Sequence, residues 1–165
     1  MEHKNNYFPV MVDLSEMNTL VIGGGKIAFR KVMNILEYGG SCTVISPKYS
    51  VDFDALESEP KVKKITKEYE KDDVKPYKMV FCAVDNSDVS EQVRVDCDKY
   101  GILVNVADVP ELCNFIMPAT IKRGDFIAAI STLGRAPFYA KQKRQQLEDI
   151  FSPALEDVTE LAGQF

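Results

Sequence analysis

The chain holds a single histidine among its 165 residues, His3, close to the start, where a terminus frays unless something ties it down. That scarcity excludes a histidine-based nucleophile triad and a histidine-rich zinc site. Proton chemistry must fall to carboxylates, lysine, tyrosine or water. Cys-x-x-Cys pairs are missing too, because Cys42, Cys82, Cys97 and Cys113 stand apart. Cys42 and Cys82 sit inside apolar runs, where a free thiol acts as a small hydrophobe, so neither a disulfide frame nor a metal site is expected. No apolar run approaches the roughly 20 residues that span a bilayer, and the polar start Met1–Asn6 lacks a signal peptide's apolar segment. No membrane partner is expected, and cytoplasmic location is the default. A net charge of −5 speaks against a general nucleic-acid binder. There is no internal repeat and no low-complexity segment.

What the chain does have is concentrated in Thr19-Leu-Val-Ile-Gly-Gly-Gly-Lys-Ile-Ala-Phe-Arg-Lys31. Leu20-Val21-Ile22 reads as a buried strand, and Gly23, Gly24 and Gly25 as a turn. Ala28, Val32, Ile35 and Leu36 then fall at helical spacing. Strand, glycine turn and helix together make Gly23-x-Gly25-x-x-Ala28 a dinucleotide-binding pattern. Gly23 permits the turn, Gly25 lets a pyrophosphate approach the backbone, and Ala28 keeps helix and strand close. The N–H groups and dipole of the helix start would hold the anion. The alternative is a plain glycine-rich turn. The acidic residue that usually binds ribose about 20 residues further on is missing, and Thr43-Val-Ile-Ser-Pro-Lys48 occupies its place. Ser46 can hydrogen-bond a ribose hydroxyl and Lys48 can accept a 2′-phosphate, so NAD and NADP both stay open.

Around that centre, Tyr7–Leu14 reads as a short edge strand or an extended lead-in. The first helix runs from about Lys26 to Glu37 and ends at Gly39-Gly40. Cys42–Ile45 is a second strand, Asp52–Leu56 a short helix, and Lys61–Tyr69 holds a peripheral strand. The charged run Lys67–Lys75 reads as solvated surface. Tyr77–Val84 and Ile102–Ala107 are buried strands flanking a helix that carries Val89, Val93, Cys97 and Tyr100, with N-cap candidates in Asp85–Asp88. Alternating strands and helices predict a parallel sheet.

Then the pattern changes. Phe115–Ile121 and Asp125–Ser131 form a hairpin turning at Lys122-Arg-Gly124. Gly134 and Pro137 lead into helix Phe138–Ile150, and Ser152-Pro153 opens a last helix whose Leu155, Val158 and Ala162 share a face. The predicted fold class is α/β: a Rossmann-like parallel sheet (1–112), a small β-hairpin-plus-helix module (113–151), and the start of a helical tail (152–165). The module's apolar strands are expected to pack on a second copy, giving a homodimer. Folding back onto the sheet is the alternative.

Ligands of an open parallel sheet lie beyond the carboxyl ends of its strands. Gly23–Lys26, Ala83-Val84-Asp85 and Asn105-Val-Ala-Asp108 all end there. Asp108 is the first candidate for a general base or a metal contact; capping the turn through Val109-Pro110 is the competing role. For Asp85 and Asn86, helix capping is the stronger reading. Ser131, Thr132, Gly134 and Arg135, just before a helix start, offer hydroxyls, N–H groups and a guanidinium suited to carboxylates or phosphates. Lys122, Arg123, Lys141, Lys143 and Arg144 add positive charge nearby, which suggests a polyanionic ligand.

These motifs resemble the precorrin-2 dehydrogenase family, the N-terminal module of siroheme synthases. The resemblance rests on Tyr7–Leu14, Val21–Lys31, Phe81–Asp85, Val104–Asp108, Asn114-Phe-Ile-Met-Pro118, Ala129–Thr132 and Gly134–Pro137, in that order. It implies NAD-dependent oxidation of precorrin-2 to sirohydrochlorin, followed in many members by ferrochelation with Fe2+ as substrate. It also implies an NAD site lined by Gly23, Gly25, Lys26, Ile27, Pro47 and Lys48, chemistry at Asp108, and a tetrapyrrole near Ser131, Thr132 and Gly134. Family members usually continue into a longer helical region, so part of the wall over the substrate is expected to be missing here. A nucleotide-sensing regulatory module without catalysis is the rival reading.

Overall fold

The structure is a computed structural model that describes residues 6–163; the expectation for His3 lies outside the described residues. Strand β1 (Asn18–Ile22) is the centre of a five-stranded parallel sheet. Beside it lie β2 (Ser41–Ser46), β3 (Val62–Thr66), β4 (Met79–Cys82) and β5 (Leu103–Val106), in the order β3-β2-β1-β4-β5. Successive strand residues point to opposite faces. Val21 therefore packs with Ala28, Val32 and Ile35 of helix α1 (Lys26–Glu37). Leu20 and Ile22 pack on the other side with Val93 and Cys97 of helix α2 (Ser87–Tyr100). Burial on both faces explains why the central strands read as unbroken apolar runs.

The predicted first helix matches α1 at both ends, and Gly39 follows it with φ +77°. The Tyr7–Leu14 segment forms no strand, leaving the extended lead-in of the two readings. Among the described residues, no helix is long and apolar enough to cross a membrane.

The charged run Lys67–Lys75 departs from the expectation of plain solvated surface. Val74, inside it, is fully buried. Tyr69 donates its hydroxyl to the buried Asp96 carboxylate of α2 (2.6 Å), and the Asp72 N–H donates to the same carboxylate (3.1 Å). These bonds pin the segment to α2, and residue charge alone could not reveal them.

Burial raises the thiols of Cys42 and Cys97 from the usual 9.0 to about 12. The folded state thus holds these protons more tightly than the unfolded chain does. The resulting stability is complete below pH 9 and drains away as pH climbs toward 12. Denaturation midpoints should fall across that window, and the fall should flatten in the Cys42→Ala/Cys97→Ala double variant. A slope unchanged by the double substitution would refute the assignment.

Contacts divide the chain into two units, Pro9–Phe115 and Met1–Phe8 with Ile116–Phe165. Residues 113–115 stay with the sheet unit because Asn114 extends the edge of β5. Its Oδ1 accepts from the Val104 N–H (2.7 Å), and its Nδ2 donates to the Ile102 carbonyl (2.9 Å).

The other unit is built on the antiparallel pair β6 (Ala119–Arg123) and β7 (Phe126–Ile130). The turn is Gly124-Asp125 rather than Lys122–Gly124, because pairing continues to Arg123↔Phe126 and Gly124 supplies the positive φ of +56°. Helix α3 (Pro137–Glu148) starts on proline, as its missing N–H allows, and stops two residues short of the expected Ile150. Phe126 and Phe151 stack with centroids 5.0 Å apart, and α4 (Leu155–Ala162) packs against β7.

Candidate functional site

The strand register brings three loops to one edge of the sheet. Ile22 of β1 pairs with Cys82 of β4, and Cys82 pairs with Val106 of β5. One residue on, the Ala83 N–H donates to the Ile22 carbonyl (2.8 Å) and the Ala107 N–H to the Cys82 carbonyl (2.8 Å). Gly23–Lys26, Ala83–Asp85 and Ala107–Asp108 therefore leave the sheet side by side.

Each of the three glycines has a different physical reason. Gly23 has φ +123°, and a Cβ there would stand 2.3 Å from the Ala83 carbonyl oxygen. A Cβ on Gly24 would meet the Lys48 carbonyl oxygen at 2.0 Å. The Ser50 N–H donates to the Gly24 carbonyl at 2.7 Å, which explains that close approach. Gly25 is exposed, with nothing within 4 Å of where its Cβ would point. It is also the N-cap of α1, where no side chain caps the helix and no acidic residue occupies the first turn. The opening N–H groups of α1, at Lys26 and Ile27, are thus left to an anion that can come against Gly25. Such a cradle fits the pyrophosphate of a nicotinamide dinucleotide.

Ser46 is buried, and its hydroxyl donates to the Lys48 carbonyl at 2.6 Å, which shapes the loop after β2. Pro47 and Lys48 are exposed on that loop, while Ala83 and Val84 are half-buried after β4. Asn86 caps α2, its Oδ1 accepting from the Asp88 and Val89 N–H groups at 3.0 and 3.3 Å.

Asp108 is exposed and adopts φ +59°, a left-handed conformation that is strained for most residues and tolerated best by Gly, Asn and Asp. Among the described residues its carboxylate makes no hydrogen bond and no ion pair, so it does not cap the turn at Val109-Pro110. Asn105, before it on β5, has protein partners. Only 9% exposed, it accepts from Lys31 Nζ at 3.1 Å and donates Nδ2 to the Phe115 carbonyl at 3.1 Å. Cys113 closes the same end of β5, its Sγ accepting from the Val106 N–H at 3.2 Å.

Lys31 escaped the sequence reading, although a signal was present. It lies three residues after Ala28 and four before Ile35, on the buried stripe of α1. Its ammonium sits 5.3 Å from the Phe81 ring centre. Burial pulls its pKa below the usual lysine value, helped by the Arg30 charge, while Cys113 and Asp108 oppose the shift.

In the other unit, Ser131 Oγ accepts from the Leu133 N–H (3.0 Å) and Thr132 Oγ1 from the Ala136 N–H (3.0 Å). Leu133 and Gly134 both have positive φ, +54° and +81°. Arg135 is exposed; its N–H donates to the Thr132 carbonyl at 3.0 Å, and its guanidinium engages no protein group among the described residues. Arg123 is tied down, donating to the Phe151 and Lys122 carbonyls. Arg144 pairs with Glu148, and Lys143 with Gln146. The free cationic set before and along α3 is therefore smaller than the sequence suggested. Among the described residues, no group of three or more His, Cys, Asp or Glu side chains converges as a metal site would require.

Three comparisons bear on this arrangement. A siroheme synthase of Ruthia magnifica subsp. Calyptogena magnifica is 36% identical over 160 residues, covering 97% of this chain and 34% of that protein. A siroheme synthase of Pseudoalteromonas atlantica is also 36% identical, over 96% of this chain and 34% of that protein. The chain thus spans about a third of the length of the curated relatives it matches. The solved structure of SirC, precorrin-2 dehydrogenase, aligns with a TM-score of 0.80 at 28% identity, covering 93% of this chain and 76% of that one. Residues 10–119, which hold the glycine turn, the sheet and Asp108, match the model of the family described as "Putative NAD(P)-binding". The chain belongs to that NAD(P)-binding family.

Proposed function

We infer that the chain is an NAD-dependent dehydrogenase that oxidises precorrin-2 to sirohydrochlorin. The observation that supports this most is the side-by-side exit of an open anion cradle at Gly25 and an Asp108 carboxylate with no bonded partner among the described residues. The likeness to SirC, precorrin-2 dehydrogenase, supplies the substrate class.

When bound, a nicotinamide dinucleotide supplies the hydride acceptor. Gly25, Lys26 and Ile27 would hold its pyrophosphate through backbone N–H groups, and Pro47 and Lys48 would flank its ribose. Ala83 and Val84 would line the cleft floor. Oxidation removes a hydride and a proton from the macrocycle, and the Asp108 carboxylate is the group suited to take the proton. Precorrin-2 carries several carboxylates. Within the hairpin unit taken by itself, Arg135, with the hydroxyls of Ser131 and Thr132 and the N–H groups before α3, offers donors of the kind carboxylates accept from.

A homodimer belongs to the same reading. Phe138, Ile150 and Leu161 are 80%, 69% and 60% exposed in the hairpin unit, a set of large apolar side chains suited to a second copy. Incubation with precorrin-2 and NAD should yield reduced nicotinamide and sirohydrochlorin in equal amounts. A protein that binds NAD fully yet forms neither product would instead be a nucleotide-sensing module.

A further inference from the structure

Helix α1 makes its main contacts with β1, β2 and β4, not with β5. Lys31, whose ammonium lies over the Phe81 ring, nevertheless donates to Asn105 Oδ1 of β5 at 3.1 Å. Asn105 is held from its other side by the Phe115 carbonyl (3.1 Å) and lies near Cys113 Sγ (3.6 Å). Three residues later, the strand has turned into the strained backbone of Asp108.

We propose that Lys31 is a positioning residue that ties the cofactor-binding helix to the strand carrying Asp108, so that seating a dinucleotide at the start of α1 also fixes the Asp108 turn. The idea rests on the dehydrogenase reading for its catalytic consequence and on NAD binding alone for its mechanical one.

Two features support it. Lys31 is half-buried, and its ammonium is held by both the Phe81 ring and the Asn105 side-chain Oδ1. A lysine on a buried helical stripe carries a desolvation cost, which a surface contact would not explain.

Lys31→Met keeps the length and apolar stem of the side chain but removes charge and donors; Lys31→Arg restores both. Amide hydrogen exchange on the intact protein, with and without saturating NAD, is the first readout. In the wild type, NAD should slow exchange about threefold or more both at the glycine turn and across residues 103–113. In Lys31→Met, the glycine turn should still be protected while protection of 103–113 is lost, and Lys31→Arg should recover it. Equal protection of 103–113 in wild type and Lys31→Met would overturn the proposal, as would no protection there in the wild type.

Turnover of precorrin-2 is the second readout. Lys31→Met should lower kcat about tenfold with little change in the KM for NAD. The same substitution should cost almost nothing further in an Asp108→Asn background, since both act through one group. Fully multiplicative losses would show that Lys31 does not work through Asp108. A wild-type protein that never turns over precorrin-2 would defeat the functional reading and leave the exchange result to decide the coupling.

Discussion

Asp108→Asn should lower kcat for precorrin-2 oxidation by about 10²–10⁴-fold, the usual contribution of a positioned proton acceptor, while NAD affinity and melting temperature stay near wild type. The choice of asparagine matters. Asp108 has φ +59°, and asparagine tolerates that region as well as aspartate does, so the turn keeps its shape. The carboxylate has no protein partner among the described residues, so no internal bond is lost. What disappears is the negative charge and, with it, the ability to accept a proton. Asp108→Ala is a poorer probe, because a Cβ without a polar tip is disfavoured in that conformation and would mix a structural effect with the chemical one. A rate for Asp108→Asn within about threefold of wild type would remove Asp108 from the mechanism.

The second large effect separates neighbouring glycines. Gly25→Asp should cut NAD affinity about 100-fold or more, because like-charge juxtaposition costs several kcal/mol. Yet it should leave the fold intact or slightly firmer. Gly25 is the N-cap of α1 at φ −88°, its Cβ direction is open, and aspartate is among the best N-cap residues. Gly24→Ala should do the reverse to the fold. Its Cβ would lie 2.0 Å from the Lys48 carbonyl oxygen and 2.7 Å from Ser46 Oγ, an overpacking that costs about 1–3 kcal/mol before any ligand is considered. Isothermal titration for NAD and chemical denaturation for stability read the two effects independently. Unchanged NAD affinity in Gly25→Asp would put the pyrophosphate elsewhere.

The sheet was legible in the sequence because its signals are local and strong. Apolar runs such as Val80–Cys82 mark strands buried on both faces, and the stripe Ala28, Val32, Ile35 marks a helix covering one of them. The glycine turn was equally readable, since φ +123° at Gly23 admits little else. Side-chain partners were not legible. Whether Ser46 faces a ribose or its own loop depends on a carbonyl two residues away, and whether Asn105 faces a ligand depends on a lysine 74 positions earlier. Residue type and spacing carry no record of such side-chain partners. The same holds for Arg123, whose charge promised an anion contact but whose donors serve backbone carbonyls. Tertiary bonds likewise anchor Lys67–Lys75 against its polar composition. Lys31 is the instructive case. A cation on an apolar stripe is a conflict between local patterns, and such conflicts mark places where function overrides packing.

The most direct test is a crystal structure of the protein with NAD and a tetrapyrrole polycarboxylate bound together. The account predicts the pyrophosphate on the Lys26 and Ile27 N–H groups beside Gly25, with the macrocycle edge within reach of the Asp108 carboxylate. A dinucleotide bound away from Gly25, or a macrocycle held with Asp108 facing bulk solvent, would contradict it.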